Sequence, residues 1–163
     1  MRKSFGIRRK QRGLATVEFA IVGAISLTLV FGVLEIARAV FVANALTEAT
    51  RRGARMATVC PINDPAIAQA ATFNAPGSGN SSPIVKNLDT TDFAVEYLDL
   101  DGNEIPDPTG NFNLIRFIEV SVVNFRHELL IPFSNVTFTM PQFSTTLPRE
   151  SLGVPRSGVV APC

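Results

Sequence analysis

The sequence predicts an α+β protein in which a long N-terminal transmembrane helix continues as an amphipathic helix packed on a small antiparallel β-sheet. Three observations lead to this prediction. Six of the fifteen basic residues lie in positions 1–12, where there is no acidic residue. Between Phe19 and Leu34 there is no charged residue at all. The C-terminal half contains alternating runs of β-branched and aromatic residues, which favour strands.

The predicted transmembrane helix covers residues 14–34 and follows a basic leader, residues 1–13. These 21 residues carry a single charge, Glu18. As a helix they would be about 31 Å long, which matches one bilayer core. Basic residues can mark nucleic-acid binding, but a basic flank beside an apolar span is better explained by the positive-inside rule. We therefore expect a lipid bilayer and no nucleic acid as partner, with the C-terminal side facing outward.

Residues 35–58 predict an extracytoplasmic amphipathic helix. They are rich in Ala, Leu, Glu and Arg and lack Pro, so the helix should continue until it meets Cys60 and Pro61. Glu48 precedes Arg51 and Arg52 at the spacing of surface ion pairs. The residues expected to face the globular domain recur at helical spacing; they are Ile36, Val40, Ala43, Leu46 and Ala54.

Residues 59–163 predict a strand-rich domain. A short helix is expected at Pro65 to Phe73, a loop at 76–83 and a loose tail from Ser151. Strands are expected where Ile, Val, Phe and Tyr alternate or cluster, and turns where Gly, Asn and Pro interrupt them. The expected strands are 93–98, 115–125 and 136–140, and the expected turns are Asp101 to Asn103 and Pro132 to Asn135.

Two cysteines, Cys60 and Cys163, both lie beyond the span. In an oxidising compartment a disulfide between them would persist and would attach the tail to the end of the helix. The alternative is two free or intermolecular thiols.

The most informative stretch is residues 8–19, RRKQRGLATVEF, which places a carboxylate five residues into the apolar span. A carboxylate there is costly unless it is paired or held at the interface, so Glu18 is a candidate functional residue. Its alternative role is simple snorkelling to the membrane surface.

These residues resemble the class III signal of type IV pilins and pseudopilins, which a prepilin peptidase cuts after the Gly. The resemblance implies cleavage between Gly13 and Leu14. It also implies that Glu18 of one subunit neutralises the new ammonium of Leu14 on its neighbour. Such a charge pair would set the axial register of a filament.

Three segments together, 13–20 (GLATVEFA), 31–38 (FGVLEIAR) and 49–57 (ATRRGARMA), resemble the TadE-like family of minor pseudopilins of the tight-adherence (Flp, type IVb) pilus. The resemblance covers about the first 57 residues and implies a pilin-like fold. It implies a single-pass protein of the bacterial inner membrane with a cytoplasmic N-terminus and a periplasmic domain, which stays there or enters the pilus after processing.

The partners that the resemblance implies are the prepilin peptidase, other pilins or pseudopilins, and the pilus assembly machinery. The implied role is pilus assembly or initiation, with no cofactor and no enzymatic activity. Main Flp pilins carry little beyond the helix, so a domain of about a hundred residues suits a minor subunit better.

Two alternatives stay open. The first is a secreted or membrane-anchored binding or adhesion domain with an ordinary signal sequence, since residues 37–39 and 43–45 both read A-x-A. The second, an enzyme tethered by an uncleaved anchor, has no catalytic motif to support it. His127, the one histidine, is expected at the surface or on a strand edge.

The acidic run 99–107 offers a weak metal candidate. Asp99, Asp101, Asn103 and Asp107 place oxygen ligands at spacings like those that open a calcium loop. Position six of such a loop would be Glu104 instead of Gly, and position twelve Gly110 instead of Glu. A plain turn is therefore the favoured interpretation.

Overall fold

The computed structural model describes residues 12–130, 136–154 and 163. The predicted leader up to residue 11, the predicted turn Pro132 to Asn135 and residues 155–162 of the predicted tail lie outside the described residues. The chain divides into two compact units, Met1–Arg38 and Ala39–Cys163. Each unit is described by itself.

The described part of the first unit, residues 12–38, belongs to one helix, α1, which runs from Arg12 to Val59. Its large apolar side chains are exposed along the whole length from Leu14 to Leu34. Within the described residues, α1 is the one helix long and apolar enough to cross a membrane. An apolar helix that is exposed on all sides is stable only in lipid or against other helices.

In the second unit, one face of α1 is buried. The face differs from the predicted one at its start, because Ile36 and Val40 are exposed. Thr50 on this face shares a hydrogen bond of 2.9 Å with Thr145. The buried positions still follow helical spacing; they are Val42, Leu46, Ala49, Thr50, Ala54 and Ala57.

A second helix, α2, covers Pro65–Ala71 and ends two residues earlier than predicted. Asp64 caps it, since its Oδ1 accepts a 2.9 Å hydrogen bond from the backbone N of Ala66. Pro65 fits the first helical position, where its missing N–H has no partner to lose. Ile67 and Ala71 face the core.

The main sheet is antiparallel and has the strand order β1-β2-β5. Strand β1 is Phe93–Leu98, β2 is Phe117–Val122 and β5 is Ser144–Pro148. Val120 of β2 lies between Val95 of β1 and Thr145 of β5. A second, two-stranded antiparallel sheet joins β3, Arg126–Glu128, to β4, Thr137–Thr139.

The predicted α+β class is confirmed, with two small antiparallel sheets in place of one. The predicted strand 93–98 is β1, and β2 lies inside the predicted run 115–125. The predicted strand 136–140 contains β4, but β4 pairs with β3 and not with the main sheet. Strand β5 was not predicted.

The core of the second unit has two clusters, one toward each end of its part of α1. We call the cluster nearer residue 39 the entry core; it contains Val42, Leu46, Val85, Leu88, Val122, Phe125 and Met140. We call the other the far core; it contains Ala54, Ala57, Cys60, Ile67, Tyr97, Ile105, Ile115, Ile118, Val120 and Leu152. Strand β2 contributes to both clusters and therefore links the two ends of the unit.

The prediction of a loose tail from Ser151 is wrong for its first described residues. Leu152 is buried in the far core. Its backbone N donates to Thr58 O at 3.1 Å, and Gly153 N donates to Val59 O at 2.7 Å. These bonds satisfy carbonyls at the C-terminal end of α1, which otherwise have no intrahelical partner.

Candidate processing site and pairing glutamate

Gly13 and Leu14 lie in the first turn of α1. A Cβ added to Gly13 would meet no atom within 4 Å apart from the backbone of its own helix, so packing within the chain does not require glycine there. Leu14 is exposed. Packing among the described residues therefore gives no reason for glycine at position 13.

Glu18 lies one helical turn after Leu14, on the same side of α1. It is exposed, and no ion pair among the described residues involves it. A carboxylate in this position, inside a run of apolar side chains, needs a positive partner or contact with water.

Glu35, the next acid along α1, is in a different situation. Both of its carboxylate oxygens accept hydrogen bonds of 2.9 Å from Arg38, one turn later. The Glu35 side chain is largely buried and Arg38 more exposed, so the ion pair neutralises an acid that follows the apolar run directly. Its i, i+3 spacing was visible in the sequence, but the pairing was not predicted.

The segment 49–57 has two faces with different roles. On the buried face, a Cβ added to Gly53 would approach Val120 Cγ1 at 3.0 Å and Ala71 Cβ at 3.1 Å. Gly53 therefore allows α1 to pack closely against β2 and α2 at once. On the other face the three arginines are exposed, and Arg52 forms an ion pair of 3.2 Å with Glu48 and lies over the ring of Phe73.

Cys60 and Cys163 are joined by a disulfide, with their Cα atoms 5.7 Å apart. Cys60 is fully buried in the far core, whereas Cys163 is exposed. The backbone N of Cys163 also donates to Asp64 Oδ2 at 3.3 Å, beside the start of α2.

The acidic run 99–107 forms a turn and does not gather its oxygens on one point. Asp99 Oδ1 accepts hydrogen bonds of 2.9 Å from the backbone N of both Asp101 and Asn103. The bond from Asn103 is the main cause that lowers the pKa of Asp99. Asp107 Oδ1 is likewise bound to Gly110 N at 3.0 Å. Within the described residues no group of three or more His, Cys, Asp or Glu side chains could hold a metal ion.

Of the two positions expected for His127, the surface and a strand edge, the surface is excluded, because the residue is only 3% exposed. It lies on β3, which is an edge strand because its sheet has only two strands. The imidazole meets Phe138 edge to face, with 6.0 Å between the ring centroids. This contact belongs to the β3–β4 pair, in which His127 lies opposite Phe138.

Residues 13–55 match the family model of TadE-like proteins. The N-terminal segment is therefore TadE-like. The TadE-like match begins at Gly13 and covers most of α1, and it stops before the sheets. The match is to this segment and not to the whole chain. No curated protein and no solved structure matches the chain significantly.

Proposed function

We propose that this protein is a minor pseudopilin-like subunit of a tight-adherence (Flp, type IVb) pilus, made as a precursor and cut by a prepilin peptidase between Gly13 and Leu14. The observation that carries the proposal is the start of the TadE-like match at Gly13, directly before an apolar run in which Glu18 is the fifth residue. The uncut precursor spans the inner membrane, with the basic leader in the cytoplasm and residues 59–163 in the periplasm.

The first step is removal of the leader. The open space around Gly13 supports this step, because no described residue packs against that position. A peptidase pocket that accepts only glycine before the cut bond would supply that reason. Cleavage exposes an ammonium group on Leu14 at the start of the apolar helix.

The second step is charge pairing. A carboxylate at the centre of a membrane helix costs about 2.5–3.5 kcal/mol on insertion scales, and less nearer the interface. Glu18 has no ion pair among the described residues, and the Leu14 ammonium of a neighbouring subunit is a suitable partner. Because a charge buried without its partner is strongly unfavourable, the pair favours a single axial register between subunits.

The second unit supports a minor role. Its two-cluster core and its disulfide make residues 39–163 a domain far larger than a filament helix requires. Such a domain suits the tip or the initiation of the pilus, or assembly at the membrane. Other pilins or pseudopilins and the assembly machinery are the proposed partners, and no cofactor is required.

For an ordinary signal sequence, cleavage at one of the two A-x-A sites conflicts with the packing of α1. Both A-x-A sites lie inside α1, and cleavage after Ala45 would separate Val42 from Leu46, two neighbours in the entry core. Cleavage after Ala39 would leave the packed face intact, so a signal-sequence cleavage at that position is the alternative to test.

Deletion and complementation in cells that assemble the pilus test the proposal. Loss of the gene should abolish or sharply reduce piliation, and the wild-type gene should restore it. The Gly13→Leu gene should insert its product in the membrane without restoring pili. Normal piliation in the deletion strain would contradict a role in pilus assembly and would favour the alternative of a binding or adhesion domain.

A further inference from the structure

We propose that a second copy of this chain inserts the turn that follows β1 into the groove between α1 and α2. The turn comprises residues 99–104, and the groove is lined by residues of α1, of α2 and of the segment that follows α2. Both surfaces belong to the second unit, Ala39–Cys163. The proposal needs neither cleavage at Gly13 nor a role in a pilus.

The groove between α1 and α2 is open and has a volume of about 370 Å³. Its lining combines apolar and polar side chains, which are those of Glu48, Arg52, Arg55, Met56, Ala70 and Asn74. Arg52 is held in place, because it bonds to Glu48 at 3.2 Å and lies 4.9 Å from the centre of the Phe73 ring. Arg55 is exposed and takes part in no ion pair among the described residues. The groove therefore offers an uncompensated guanidinium beside an apolar surface.

The turn after β1 carries the apolar side chain that would enter the groove. Leu100 is 73% exposed, more than any other large apolar side chain among the described residues of the second unit. Hydrogen bonds fix the turn, since Asp99 Oδ1 accepts from the backbone N of Asp101 and of Asn103, and Asp99 N donates to Asn103 O at 3.0 Å. A turn that is already ordered loses little conformational freedom on binding.

Charge complementarity favours a second copy of the chain as the occupant. Residues 87–115 contain seven acidic residues and no basic one. Asp101 and Glu104 of the turn are exposed, and no ion pair in the described part of the chain involves either carboxylate. These carboxylates complement the guanidinium of Arg55, and the side chain of Leu100 complements the apolar part of the groove.

The turn does not fill the groove of its own chain. None of the residues 99–104 lines the groove, which is formed by other parts of the unit. A contact between two different surfaces of identical copies is heterologous and can repeat from one copy to the next. One turn in one groove buries less surface than the about 1,200–2,000 Å² of stable complexes, so the association should be weak and sensitive to salt.

Tryptophan emission tests the contact, because the wild-type chain contains no Trp. A small amount of full-length Leu100→Trp protein in detergent is titrated with an excess of full-length wild type, and tryptophan is excited selectively. The emission maximum should move to the blue as the indole enters the groove of a wild-type copy, and added salt should reverse the shift. Ile84→Trp is the matched probe, since Ile84 is 52% exposed and precedes Val85 of the entry core; its emission should not move.

Charge reversal tests the pairing of the turn with Arg55. The Arg55→Glu chain should need at least about tenfold more protein than wild type to produce the same shift of the Leu100→Trp probe. A probe that carries both Leu100→Trp and Asp101→Arg should show the opposite preference and bind the Arg55→Glu chain more tightly than wild type. Arg51→Glu is the matched control, because Arg51 is exposed but does not line the groove, and it should titrate like wild type.

Two results would overturn the proposal. An emission maximum of Leu100→Trp that stays constant at every wild-type concentration would mean that the turn and the groove do not meet between copies. An equal shift with wild type and with the Arg55→Glu chain would mean that the turn binds at another surface.

Discussion

Glu35 and Arg38 form an ion pair on α1 in which both carboxylate oxygens contact one guanidinium nitrogen at 2.9 Å. Glu18, seventeen residues earlier on the same helix, takes part in no ion pair among the described residues. Glu35 is thus neutralised within its own helix, as Glu48 is by Arg52, whereas Glu18 has no such partner among the described residues. This contrast makes Glu18 the residue to test first.

Glu18→Ala should leave the protein in the membrane fraction and reduce piliation severely. The change removes the charge that would pair with the Leu14 ammonium, and it makes the helix more apolar, so insertion itself becomes easier. Membrane fractionation and the yield of sheared pili measure the two effects. Glu48→Ala, an exposed acid of the same helix, is the matched control and should keep normal piliation. Normal piliation of the Glu18 variant would count heavily against charge pairing.

Gly13→Leu should block processing, because the larger side chain would overfill the peptidase pocket. The fold itself tolerates the change, since a Cβ at position 13 has no neighbour within 4 Å apart from its own helix. The precursor should therefore accumulate in the membrane at full length, which a gel or an intact mass reveals. Gly23→Leu is the matched control, because Gly23 has equally open surroundings. Efficient cleavage of the Gly13 variant would show that glycine is not needed there.

Gly53→Leu should destabilise the second unit. Its Cβ alone would approach Val120 and Ala71 at 3.0–3.1 Å, so the helix, β2 or α2 must shift. Overpacking of this kind costs about 1–3 kcal/mol. Thermal unfolding of the full chain in detergent should show a lower midpoint, while Arg51→Leu, exposed on the same helix, should stay close to wild type. Equal midpoints for the two variants would contradict the close packing at Gly53.

The sequence predicted the elements with strong local patterns. The apolar helix, its end before Cys60 and strand β1 at 93–98 all lie where composition and alternation placed them. Strand β5 carried no such signal, because its residues are mostly Ser, Thr and Pro and only Thr145 and Leu147 are half-buried. Its position depends on pairing with β2 and on the bond between Thr145 and Thr50, 95 residues apart.

The candidate site depends on a short local pattern that can be read in the sequence, and the roles of Gly13 and Glu18 stay a prediction. His127 was expected at the surface or on a strand edge; it lies on an edge strand but is buried, and a tripeptide of Arg, His and Glu gives no sign of that burial. Ile36 and Val40 were assigned to the packing face by periodicity alone, which does not tell a lipid-facing position from a core-facing one.

Cys163→Ser should lower the free energy of unfolding of the second unit by about 2–4 kcal/mol, because the disulfide closes a long stretch of chain. The two cysteines are 103 residues apart in sequence. Denaturant unfolding of the purified full chain measures the loss. Reductant should cause a similar loss in the wild type and no further loss in the variant. A wild type whose stability does not respond to reductant would show that the bond adds nothing.

Asp99→Asn should remove an acid-sensitive contribution to stability. Hydrogen bonds from Asn103 and Asp101 hold the pKa of Asp99 below its ordinary value of 3.8. A lowered folded-state pKa gives a contribution that is present above the unfolded pKa and is lost as the pH falls through the folded one. The melting difference between wild type and the variant should therefore be largest near neutral pH and shrink below about pH 4.

Asp101→Asn is the matched control for Asp99→Asn, because none of the described hydrogen bonds ends on the Asp101 carboxylate. Its melting temperature should follow that of the wild type across the same pH range. If both variants lost the same stability at every pH, the Asp99 turn would have no specific role.

The N-terminal residue of the mature protein tests the account most directly. The protein would be recovered from the membrane fraction of cells that contain the matching peptidase, and its first residue read by mass spectrometry. The account predicts a start at Leu14, which would place Glu18 at the fifth position of the mature chain. A start at Val40 or Leu46 would indicate an ordinary secreted domain, and an intact Met1 a permanent anchor; either result would contradict processing at Gly13.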